Sequence, residues 1–508
     1  MSAVADVRNR YRIDPRVHSV IDGTRVDARP GAAELPVINP ATEQTISVLQ
    51  EADTAEVDAA VGAAREAFDR GTWPRLGVDD RKDILYRIRD LIRERSDELA
   101  YLECHNAGLP IAKVREQLER AARNFEFFAE TASTVAGQTY TGNRSHLTYV
   151  TREPKGVGAL IAPWNAPLAL ATMRVASCIA FGNTCVLKPS EYTPLSMLRL
   201  VELLHEAGLP PGVVNLVNGR GSVTGAALVA HPDIDMVGFT GGTQTGKAIM
   251  AAAGAGLKPC ILELGGKSAN IIHESAQFER AVDGALASIY SNNGQQCLAG
   301  SRILVHRPIA ERFIAAFVER ARRIRIGDPM QPETELGPLC FREHLERVLS
   351  YVEIAAGEGA ELLAGGRRAP GFDKGYYMEP TAVLARSNEA RVCQEEIFGP
   401  FATFLVYDTV DEAISIANDS PYGLVAYVWA GDLDVTMRCS RDIRAGTIWV
   451  NTPMVRELRA PFGGFKQSGI GRDGANSSVE FFTELKTTTI PVDAPVLPGI
   501  GRDGNRRA

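Results

Sequence analysis

The chain has 508 residues, an apolar fraction of 45% and a charged fraction of 23%, the balance of an ordinary globular protein. That length exceeds what one hydrophobic core usually serves, so we expect two large domains. A formal net charge of −7, with both signs interspersed, gives no basic face for nucleic acid and no polybasic segment for a membrane surface. The sequence therefore predicts a small-molecule partner.

The start of the chain, MSAVADVRNRYRIDPR, has no apolar segment of signal-peptide length, and no run of roughly 18 apolar residues occurs elsewhere. A cytoplasmic location is the resulting expectation. Eight cysteines occur without a C-x-x-C pair, and eight histidines without an H-E-x-x-H motif. We therefore predict neither a disulfide framework nor a metal site.

The first third of the chain is predicted to be mostly helical. Asp53 and Glu56 have the spacing of a helix cap, and a helix should run from there through Phe68. DILYRIRDLIRERSDELAYL has apolar residues at helical spacing until Gly108, and AKVREQLERAARNFEFFAE continues the pattern. These helices should pack against a sheet.

The chain then changes to an α/β pattern. TYTGNRSHLTYVTRE predicts a hairpin that ends near residue 154, and short apolar runs then alternate with helical stretches of about 10 to 15 residues. A second alternation covers about 270 to 470, before SVEFFTELKTTTIPV predicts a short helix and a final strand. Open α/β sheets bind ligands at the carboxyl ends of their strands, which is where unusual polar residues cluster here.

Cys297 lies in SNNGQQCLAG, among amides and glycines rather than in an apolar run. Such a setting gives a thiol access to substrate, and a nearby helix start would favour its thiolate. The alternative is a small buried hydrophobic residue. The neighbourhood favours a nucleophile.

Two further strand ends carry candidate catalytic groups. Glu263 closes the apolar run CILE before a Gly-Gly turn, where burial would raise its pKa towards that of a general base. Its alternatives are a helix cap or an ion pair with Lys267. Asn165, in IAPWNAP, would project its amide into the cleft as an oxyanion donor, although asparagine is also common in turns.

Two features indicate a dinucleotide. The strand in VLKPSE delivers Lys188 and Glu191 at its carboxyl end, where the carboxylate would accept from adenosine hydroxyls and repel a 2′-phosphate. The pair favours NAD over NADP. MVGFTGGTQTGK adds a G-x-T-x-x-G turn with Gly242 and Gly246, which offers backbone N–H groups and a helix N-terminus to a pyrophosphate.

Together these stretches resemble the aldehyde dehydrogenase superfamily, from the helices near residue 53 to the strand near 490. The matching segments are PWN at 163–165, KPSE at 188–191, FTGGTQTG at 239–246, ELGGKS at 263–268, GQQC at 294–297, EEIFGP at 395–400 and PFGGFKQSG at 461–469. Cys297 follows Glu263 at the spacing that this family has.

The resemblance implies oxidation of an aldehyde to an acid. Cys297 would attack the aldehyde carbon, and the Asn165 amide with the Cys297 backbone N–H would hold the oxyanion. A water activated by Glu263 would then hydrolyse the thioester. Members that pass the thioester to coenzyme A generally lack this base, so water is the expected acceptor.

The resemblance also implies NAD as the cofactor. Lys188 and Glu191 would hold the adenosine ribose, and Glu396 the nicotinamide ribose with Phe398 beside it. Gly242 stands where many members have serine, so the backbone donors remain and a hydroxyl is lost. The full set implied for NAD is Ile161, Trp164, Lys188, Glu191, Gly221, Gly242, Gly246, Glu396 and Phe398.

An aldehyde dehydrogenase-like α/β fold follows from the same resemblance. It implies a Rossmann-like NAD-binding domain from 1–135 and 155–264 and an α/β catalytic domain from 265–470. A small β oligomerisation element would come from 136–154 and 478–493, and 494–508 would be a tail. The expected assembly is a homo-dimer or homo-tetramer.

The segment NTPMVRELRAPFGG, at 451–464, matches the loop that varies with specificity in this family. Asn451 and Phe462 match positions that line the substrate tunnel. In members that act on muconic-type semialdehydes, an arginine in R-[DE]-L receives a substrate carboxylate, and Arg456 matches it. Arg459 is predicted to pair with Glu457 or to contact a neighbouring subunit.

A second arginine is indicated by the same members, which place one in a helix before an asparagine-phenylalanine pair. Arg120 matches this position, although it lies off the apolar face of its helix and a solvated residue is the alternative. The substrate hypothesis is a carboxylated, unsaturated semialdehyde such as hydroxymuconic semialdehyde or its carboxymethyl relative.

Three alternatives stay open at this level. A dehydrogenase for a neutral or amino aldehyde, of the betaine-aldehyde type, would share the catalytic residues. A cysteine-dependent esterase or acyltransferase would use Cys297 and Glu263 without needing the cofactor residues. A non-enzymatic structural protein predicts loss of the thiol or the base, and both are present.

Overall fold

The computed structural model describes residues 11–27, 29–142, 144–495, 497–498 and 500–501. Most of the predicted tail, 494–508, and the first ten residues of the predicted NAD-binding domain therefore lie outside the described residues. Among the helices of the described part, none combines the length and the apolar character that crossing a membrane would require.

Most strands belong to two large sheets. The strands are β1 (Arg16–Val17), β2 (Val20–Ile21), β3 (Thr24–Arg25), β4 (Glu34–Asn39), β5 (Gln44–Gln50), β6 (Gln138–Tyr140), β7 (His146–Pro154), β8 (Val157–Ile161), β9 (Thr184–Lys188), β10 (Val214–Leu216), β11 (Met236–Thr240), β12 (Cys260–Glu263), β13 (Ala269–Ile272), β14 (Arg302–His306), β15 (Glu361–Ala364), β16 (Thr381–Leu384), β17 (Phe401–Tyr407), β18 (Tyr422–Gly423), β19 (Val425–Trp429), β20 (Thr447–Val450), β21 (Phe465–Lys466), β22 (Gly469–Ile470) and β23 (Thr483–Pro491).

Helices connect and cover these strands. They are α1 (Thr54–Asp69), α2 (Val78–Glu94), α3 (Ser96–Ala107), α4 (Ile111–Thr134), α5 (Pro167–Ala180), α6 (Leu195–Glu206), α7 (Ala226–Ala230), α8 (Thr243–Ala255), α9 (Phe278–Tyr290), α10 (Ala310–Ala321), α11 (Arg342–Gly357), α12 (Arg391–Gln394), α13 (Val410–Asn418), α14 (Leu433–Asp442) and α15 (Ala475–Phe482).

The first sheet has the strand order β22-β12-β11-β8-β9-β10-β2-β3. Its central strands, from β12 to β10, are parallel. Successive residues alternate between two cores: Leu187 faces one core and Val186 the other. Both faces are covered, as expected for parallel strands that read as continuous apolar runs.

The carboxyl ends of these parallel strands lie side by side. Thr240 is opposite Glu263, and Phe239 is opposite Ile161. Ile161 is in turn opposite Lys188. The register therefore brings the predicted strand-end residues to one edge of the sheet.

The second sheet has the order β15-β16-β17-β14-β13-β19-β20 and is parallel except for β15. Neighbouring residues on β13 alternate here too, with Ile271 in one core and Ile272 in the other. The two large sheets fall within the predicted NAD-binding and catalytic segments, except that β22 joins the first sheet. The domain boundaries themselves stay a prediction.

A third sheet, of order β23-β7-β6, is formed by the predicted hairpin and the predicted final strand. It carries exposed apolar side chains, among them Leu147, Leu485 and Ile490. Its role in oligomerisation stays a prediction.

The helical predictions for the first third hold, with one difference. Asp53 accepts a hydrogen bond from the Glu56 backbone N–H at the start of α1. The segment predicted as one helix up to Gly108 is two helices that meet at Arg95. Between Ile92 and Leu99 no apolar residue has to face the core, so the chain can turn there without exposing one.

Candidate active site

The loop before Cys297 has an unusual backbone. Asn292, Asn293 and Gly294 have consecutive positive φ angles of 55°, 57° and 70°. Asparagine tolerates this region better than most residues, and glycine enters it freely. A Cβ atom at Gly294 would overlap the backbone of Gly399 and Pro400. The loop therefore turns sharply and packs directly on another backbone segment.

Side-chain amides fix this loop. Asn293 donates to the carbonyls of Gly108 and Pro338, each at 2.9 Å, and accepts from the Gly337 backbone N–H at 2.7 Å. All these groups are buried, so each bond satisfies a polar atom that is shielded from solvent.

Two more amides complete the framework. Gln295 accepts from the Cys340 backbone N–H at 2.9 Å, and Gln117 on α4 donates to the Asn292 side chain at 2.6 Å. Asn292, Asn293, Gln295 and Gln117 were not singled out from the sequence. Two consecutive asparagines before a glycine are the sequence signal that could have indicated a left-handed turn here.

We expect Gly294→Ala to distort this loop and lower the free energy of unfolding by about 2 kcal/mol or more, because φ is positive and the new methyl group meets backbone. Calorimetry and turnover would measure both effects. Gly254→Ala is the matched control, since open space surrounds that position on α8, and its stability should be unchanged or higher by about 0.5–1 kcal/mol. A Gly294→Ala variant as stable and active as the control would contradict the tight packing.

Cys297 is half-buried and lies against a small apolar cluster that includes Tyr427 and Phe462. Burial raises the pKa of its thiol to about 12, and the negative charges of Glu396 and Glu263 act in the same direction. No helix of the described chain begins at Cys297, so the expected help from a helix start is wrong. The chain leaves α9 at Tyr290 and passes through the left-handed backbone of Asn292 and Asn293 before it reaches Cys297.

Glu263 is buried at the end of β12, and neither of its carboxylate oxygens has a hydrogen-bond partner among the described residues. Burial, followed by the negative charge of Asp473, raises the pKa of this carboxyl well above its usual value. The Nζ atom of Lys267 likewise lacks a partner in the described part, so the alternative ion pair does not form. Glu263 therefore has the environment of a buried base.

Asn165 is buried just before α5. Its side-chain Nδ2 atom donates to the Gln295 backbone carbonyl at 2.9 Å. The backbone carbonyl of Asn165 accepts from the Asn292 side chain at 2.8 Å. A side-chain amide has two N–H bonds, so one remains for a ligand. These contacts tie Asn165 to the loop that carries Cys297.

Arg120 and Arg456 come together near Cys297. Burial lowers the pKa of both guanidiniums, that of Arg456 to about 10, and the charge of Arg120 contributes to the Arg456 shift. The Cys297 thiol acts electrostatically on both. Arg456 also lies over the Phe462 ring, 3.8 Å from its centroid. Arg120 is thus directed to the cleft rather than into open solvent.

The other residues of the loop are placed differently. Asn451 has both amide atoms engaged with the Ala430 backbone, at 2.7 and 3.0 Å, so its side chain anchors the start of the loop. Its proposed place in the tunnel lining is therefore not supported by these contacts. Arg459 is exposed and forms two hydrogen bonds with the Glu457 carboxylate.

Asp473 and Arg174 were also not found from the sequence. They form a buried ion pair at 3.3 Å, and both act electrostatically on Glu263. The backbone of Asp473 pairs with that of Phe462. This pair therefore connects the specificity loop to the buried carboxylate.

The residues implied for the adenosine end fit a dinucleotide. Lys188 is buried, donates to the Pro189 carbonyl at 2.8 Å and lies 3.5 Å from the Glu191 carboxylate. Gly221 begins an exposed turn, and a Cβ at Gly225, the other end of that turn, would lie 3.6 Å from the Lys188 side chain. A ribose would find a donor and a carboxylate side by side here.

The N-terminus of α8 is suited to a phosphate. Gly242 precedes it without a side-chain cap, and nothing lies within 4 Å of the position that its Cβ would take. The first N–H groups of the helix are therefore open to an anion. Gly246 lets the helix approach Leu264, since a Cβ there would lie 2.5 Å from that side chain.

The residues implied for the nicotinamide end are Glu396 and, beside it, Phe398. Glu396 accepts from the Gly266 backbone N–H at 2.9 Å, and burial raises the pKa of this carboxyl to about 7. The rings of Trp164 and Phe398 meet edge to face at 5.3 Å. A Cβ at Gly266 would lie 2.5 Å from the Cys297 carbonyl, so this end adjoins the nucleophile.

A histidine pair that the sequence spacing did not reveal lies at the carboxyl ends of β13 and β14. His273 and His306 have nearly parallel rings, with an angle of 12° and a centroid distance of 4.9 Å, and Glu274 is close to both. A metal ion binds in the plane of an imidazole, so parallel rings do not converge on one ion. Ser275 moreover hydrogen-bonds to His273 Nδ1.

Comparisons with known proteins identify the family of this chain. The model of the aldehyde dehydrogenase family matches residues 27–488. The 5-carboxymethyl-2-hydroxymuconate semialdehyde dehydrogenase of Escherichia coli is 44% identical over 446 residues, 87% of this chain and 94% of that protein. The betaine aldehyde dehydrogenase of Bacillus subtilis (strain 168) is 40% identical over 453 residues, 89% of this chain and 92% of that protein.

A solved structure extends the likeness to the fold. The NAD+ complex of an aldehyde dehydrogenase from Bacillus cereus has a TM-score of 0.92 and 40% identity, and the match covers 97% of this chain and 99% of that chain. Because the family model, the relatives and the fold all extend over most of the sequence, this protein belongs to the aldehyde dehydrogenase family and is an NAD-dependent aldehyde dehydrogenase.

Proposed function

We propose that the enzyme oxidises a carboxylated semialdehyde of the hydroxymuconic type to the diacid, through a thioester on Cys297 that water hydrolyses. The observation that supports this substrate is the pair of guanidiniums, Arg120 and Arg456, beside the nucleophile. The E. coli relative is named for a substrate of this type.

The two guanidiniums are buried cations that interact with the Cys297 thiol. Within the described residues neither Arg120 nor Arg456 forms an ion pair, and the Nε atom of each is buried without a hydrogen-bond partner. Two buried acids act on Arg456: Asp473 already pairs with Arg174, and Glu263 attracts Arg456 without a hydrogen bond to it among the described residues. An unpaired buried cation is costly, so a bound carboxylate would stabilise the site and gain charge-assisted hydrogen bonds.

The same charges argue against the betaine-type alternative. A quaternary ammonium substrate would meet like charges from Arg120 and Arg456, and buried like charges repel strongly. Recognition of such a cation usually relies on aromatic faces, but the Phe462 face is already covered by Arg456.

In the proposed mechanism, the Cys297 thiol gives its proton to solvent water, its sulfur forms a bond to the aldehyde carbon, and the carbonyl oxygen becomes an oxyanion. The free N–H of the Asn165 amide donates to that oxygen, while its other N–H stays on the Gln295 carbonyl. NAD, when bound, supplies the acceptor for the hydride that leaves the aldehyde carbon.

Hydrolysis needs a base near the thioester. Glu263 takes a proton from water, the water oxygen bonds to the acyl carbon, and the carbon–sulfur bond breaks to release the acid and restore Cys297. Because burial raises the pKa of Glu263, its carboxylate is a stronger base than an exposed one.

We also propose the structural roles that complete this function. Lys188 and Glu191 would hold the adenosine ribose, the α8 N-terminus the pyrophosphate, and Glu396 the nicotinamide ribose. Two or four copies would associate through the sheet β23-β7-β6, whose exposed Leu147, Leu485 and Ile490 support this role.

Arg456→Ala tests the substrate proposal. We expect kcat/KM for a carboxylated semialdehyde to fall about 10- to 100-fold, since a charge-assisted hydrogen bond contributes about 1.5–3 kcal/mol, while a neutral aldehyde of equal length changes less than about 3-fold. NADH formation with freshly prepared hydroxymuconic semialdehyde, succinic semialdehyde and butanal would measure this difference.

The matched control is Arg459→Ala, which removes an arginine from the same loop that is exposed and paired with Glu457. This control should leave kcat/KM unchanged for all three aldehydes. If Arg456→Ala lowers kcat/KM equally for neutral and carboxylated aldehydes, the proposed role of Arg456 in binding a carboxylate is wrong.

A further inference from the structure

We propose that His344 and Arg347, on one face of α11, are positioning residues that hold the segment 395–399 in the shape that receives the cofactor. The proposal rests on the proposed function, because Glu396 and Phe398 in this segment are assigned there to the nicotinamide end. It adds two residues that none of the sequence motifs indicates.

Three successive backbone carbonyls of the segment are held by α11. Arg347 donates to the Glu396 carbonyl at 2.6 Å and to the Ile397 carbonyl at 3.3 Å. The Nε2–H of His344 donates to the Phe398 carbonyl at 2.7 Å. The segment lies between α12 and β17, outside helix and strand, so side chains replace the missing backbone partners.

Further contacts come from the same helix face. The Tyr351 hydroxyl donates to the Glu395 carboxylate at 2.7 Å, and a Cβ at Gly399 would lie 2.7 Å from Val348. Positions 344, 347, 348 and 351 follow helical spacing, so they form one stripe. This stripe, defined as His344, Arg347, Val348 and Tyr351, contacts the segment from one end to the other.

The segment needs such support because its backbone is strained. Phe398 has a φ of 62°, which is unfavourable for an aromatic residue and persists only where surroundings enforce it. The His344 ring meets Trp164 at 5.1 Å and Phe398 at 6.1 Å, so it supports both the carbonyl and the ring of that residue. Burial lowers the pKa of His344 to about 4, so the ring is a neutral donor in ordinary buffers.

Arg347 has a second effect, on the charge of Glu396. Its positive charge lowers the pKa of that carboxyl, against the larger effect of burial. Lys267, Cys297 and Tyr422 are further titratable groups that interact electrostatically with Glu396. Without Arg347 the carboxylate that would accept from the ribose should form only at higher pH.

Equilibrium binding of NAD to the full-length enzyme tests these roles. We expect Arg347→Met and His344→Leu each to weaken NAD binding about 10-fold, as expected for a lost hydrogen bond to a strained or charged group. Arg347→Lys and His344→Gln keep a donor and should stay within about 3-fold of the wild type. The pH midpoint of NAD binding should move up in Arg347→Met and stay in Arg347→Lys.

The matched control is Arg342→Met, the same change on the same helix, at an exposed arginine that pairs with Glu43. It should leave NAD binding unchanged, and iodoacetamide should alkylate Cys297 at the wild-type rate in every variant. Equal weakening in Arg342→Met and Arg347→Met, or an unmoved pH midpoint in Arg347→Met, would overturn the inference.

Glu396→Gln separates this inference from the proposed function. If Glu396→Gln weakens NAD binding while Arg347→Met and His344→Leu do not, the positioning roles are wrong and the cofactor role of Glu396 stands. If Glu396→Gln leaves NAD binding unchanged, the proposed cofactor role fails, and the inference fails with it.

Discussion

Cys297→Ala should lower kcat/KM for aldehyde oxidation on the order of 10⁴-fold or more, because no covalent thioester can form without the sulfur. The thiol is half-buried, and its loop is fixed by the amides of Asn292, Asn293 and Gln295. Removing one atom therefore takes away the nucleophile and leaves the framework in place. NADH formation measures the loss, and NAD titration checks that the cofactor site survives.

Cys260→Ala provides the matched control. That thiol is also partly exposed, but it lies at the start of β12, away from the carboxyl edge, and contacts the Lys258 carbonyl. Its loss should leave kcat/KM within about 3-fold. Residual turnover of Cys297→Ala near the wild-type level would show that another group carries the chemistry.

The carboxyl edge of the first sheet could be predicted from the sequence. Short apolar runs that end in a polar residue predicted parallel strands, and parallel strands place their ends together. The register confirms this for Glu263 and Lys188. The short final helix and strand were also predicted, because apolar residues cluster in SVEFF and β-branched residues follow in KTTTIPV.

The position of Arg120 could not be settled by the same reasoning. Helical spacing placed it off the apolar face of α4, which is correct, but a position off that face can point to solvent or to a cleft. Only the folded chain brings it next to Arg456, which lies in a distant loop. The resemblance to family members, rather than the periodicity, indicated the cleft.

The amide framework was also beyond the sequence. Asparagine and glutamine beside glycine indicate a turn, but their hydrogen-bond partners, such as Gly108 and Cys340, are remote in the chain. The direction of the pKa shift of the Cys297 thiol was likewise not predictable from the sequence. A helix start was expected to lower it, whereas burial beside Glu263 and Glu396 raises it.

Glu263→Gln should separate the two halves of the reaction. The thiol remains, so one NADH per active site should form in a burst, but the acyl group should then stay on Cys297 because no base activates water. We expect steady-state kcat to fall about 10²- to 10³-fold, and intact mass spectrometry should detect the acyl-enzyme. Loss of the burst as well would contradict a role confined to hydrolysis.

The same substitution should also show how the buried carboxylate of Glu263 lowers the free energy of unfolding. Both oxygens of Glu263 are buried without a hydrogen-bond partner in the described part of the chain, and the pKa of this carboxyl is raised above its unfolded value of 4.5. As pH rises above that value, the unfolded chain ionises first, so unfolding becomes easier. Glutamine carries no such charge. The unfolding free energy of the wild type should therefore decrease, relative to that of Glu263→Gln, as pH rises from about 5 to 8. Calorimetry measures both free energies. If the difference between the two proteins does not change with pH, the pKa of Glu263 is not raised by folding.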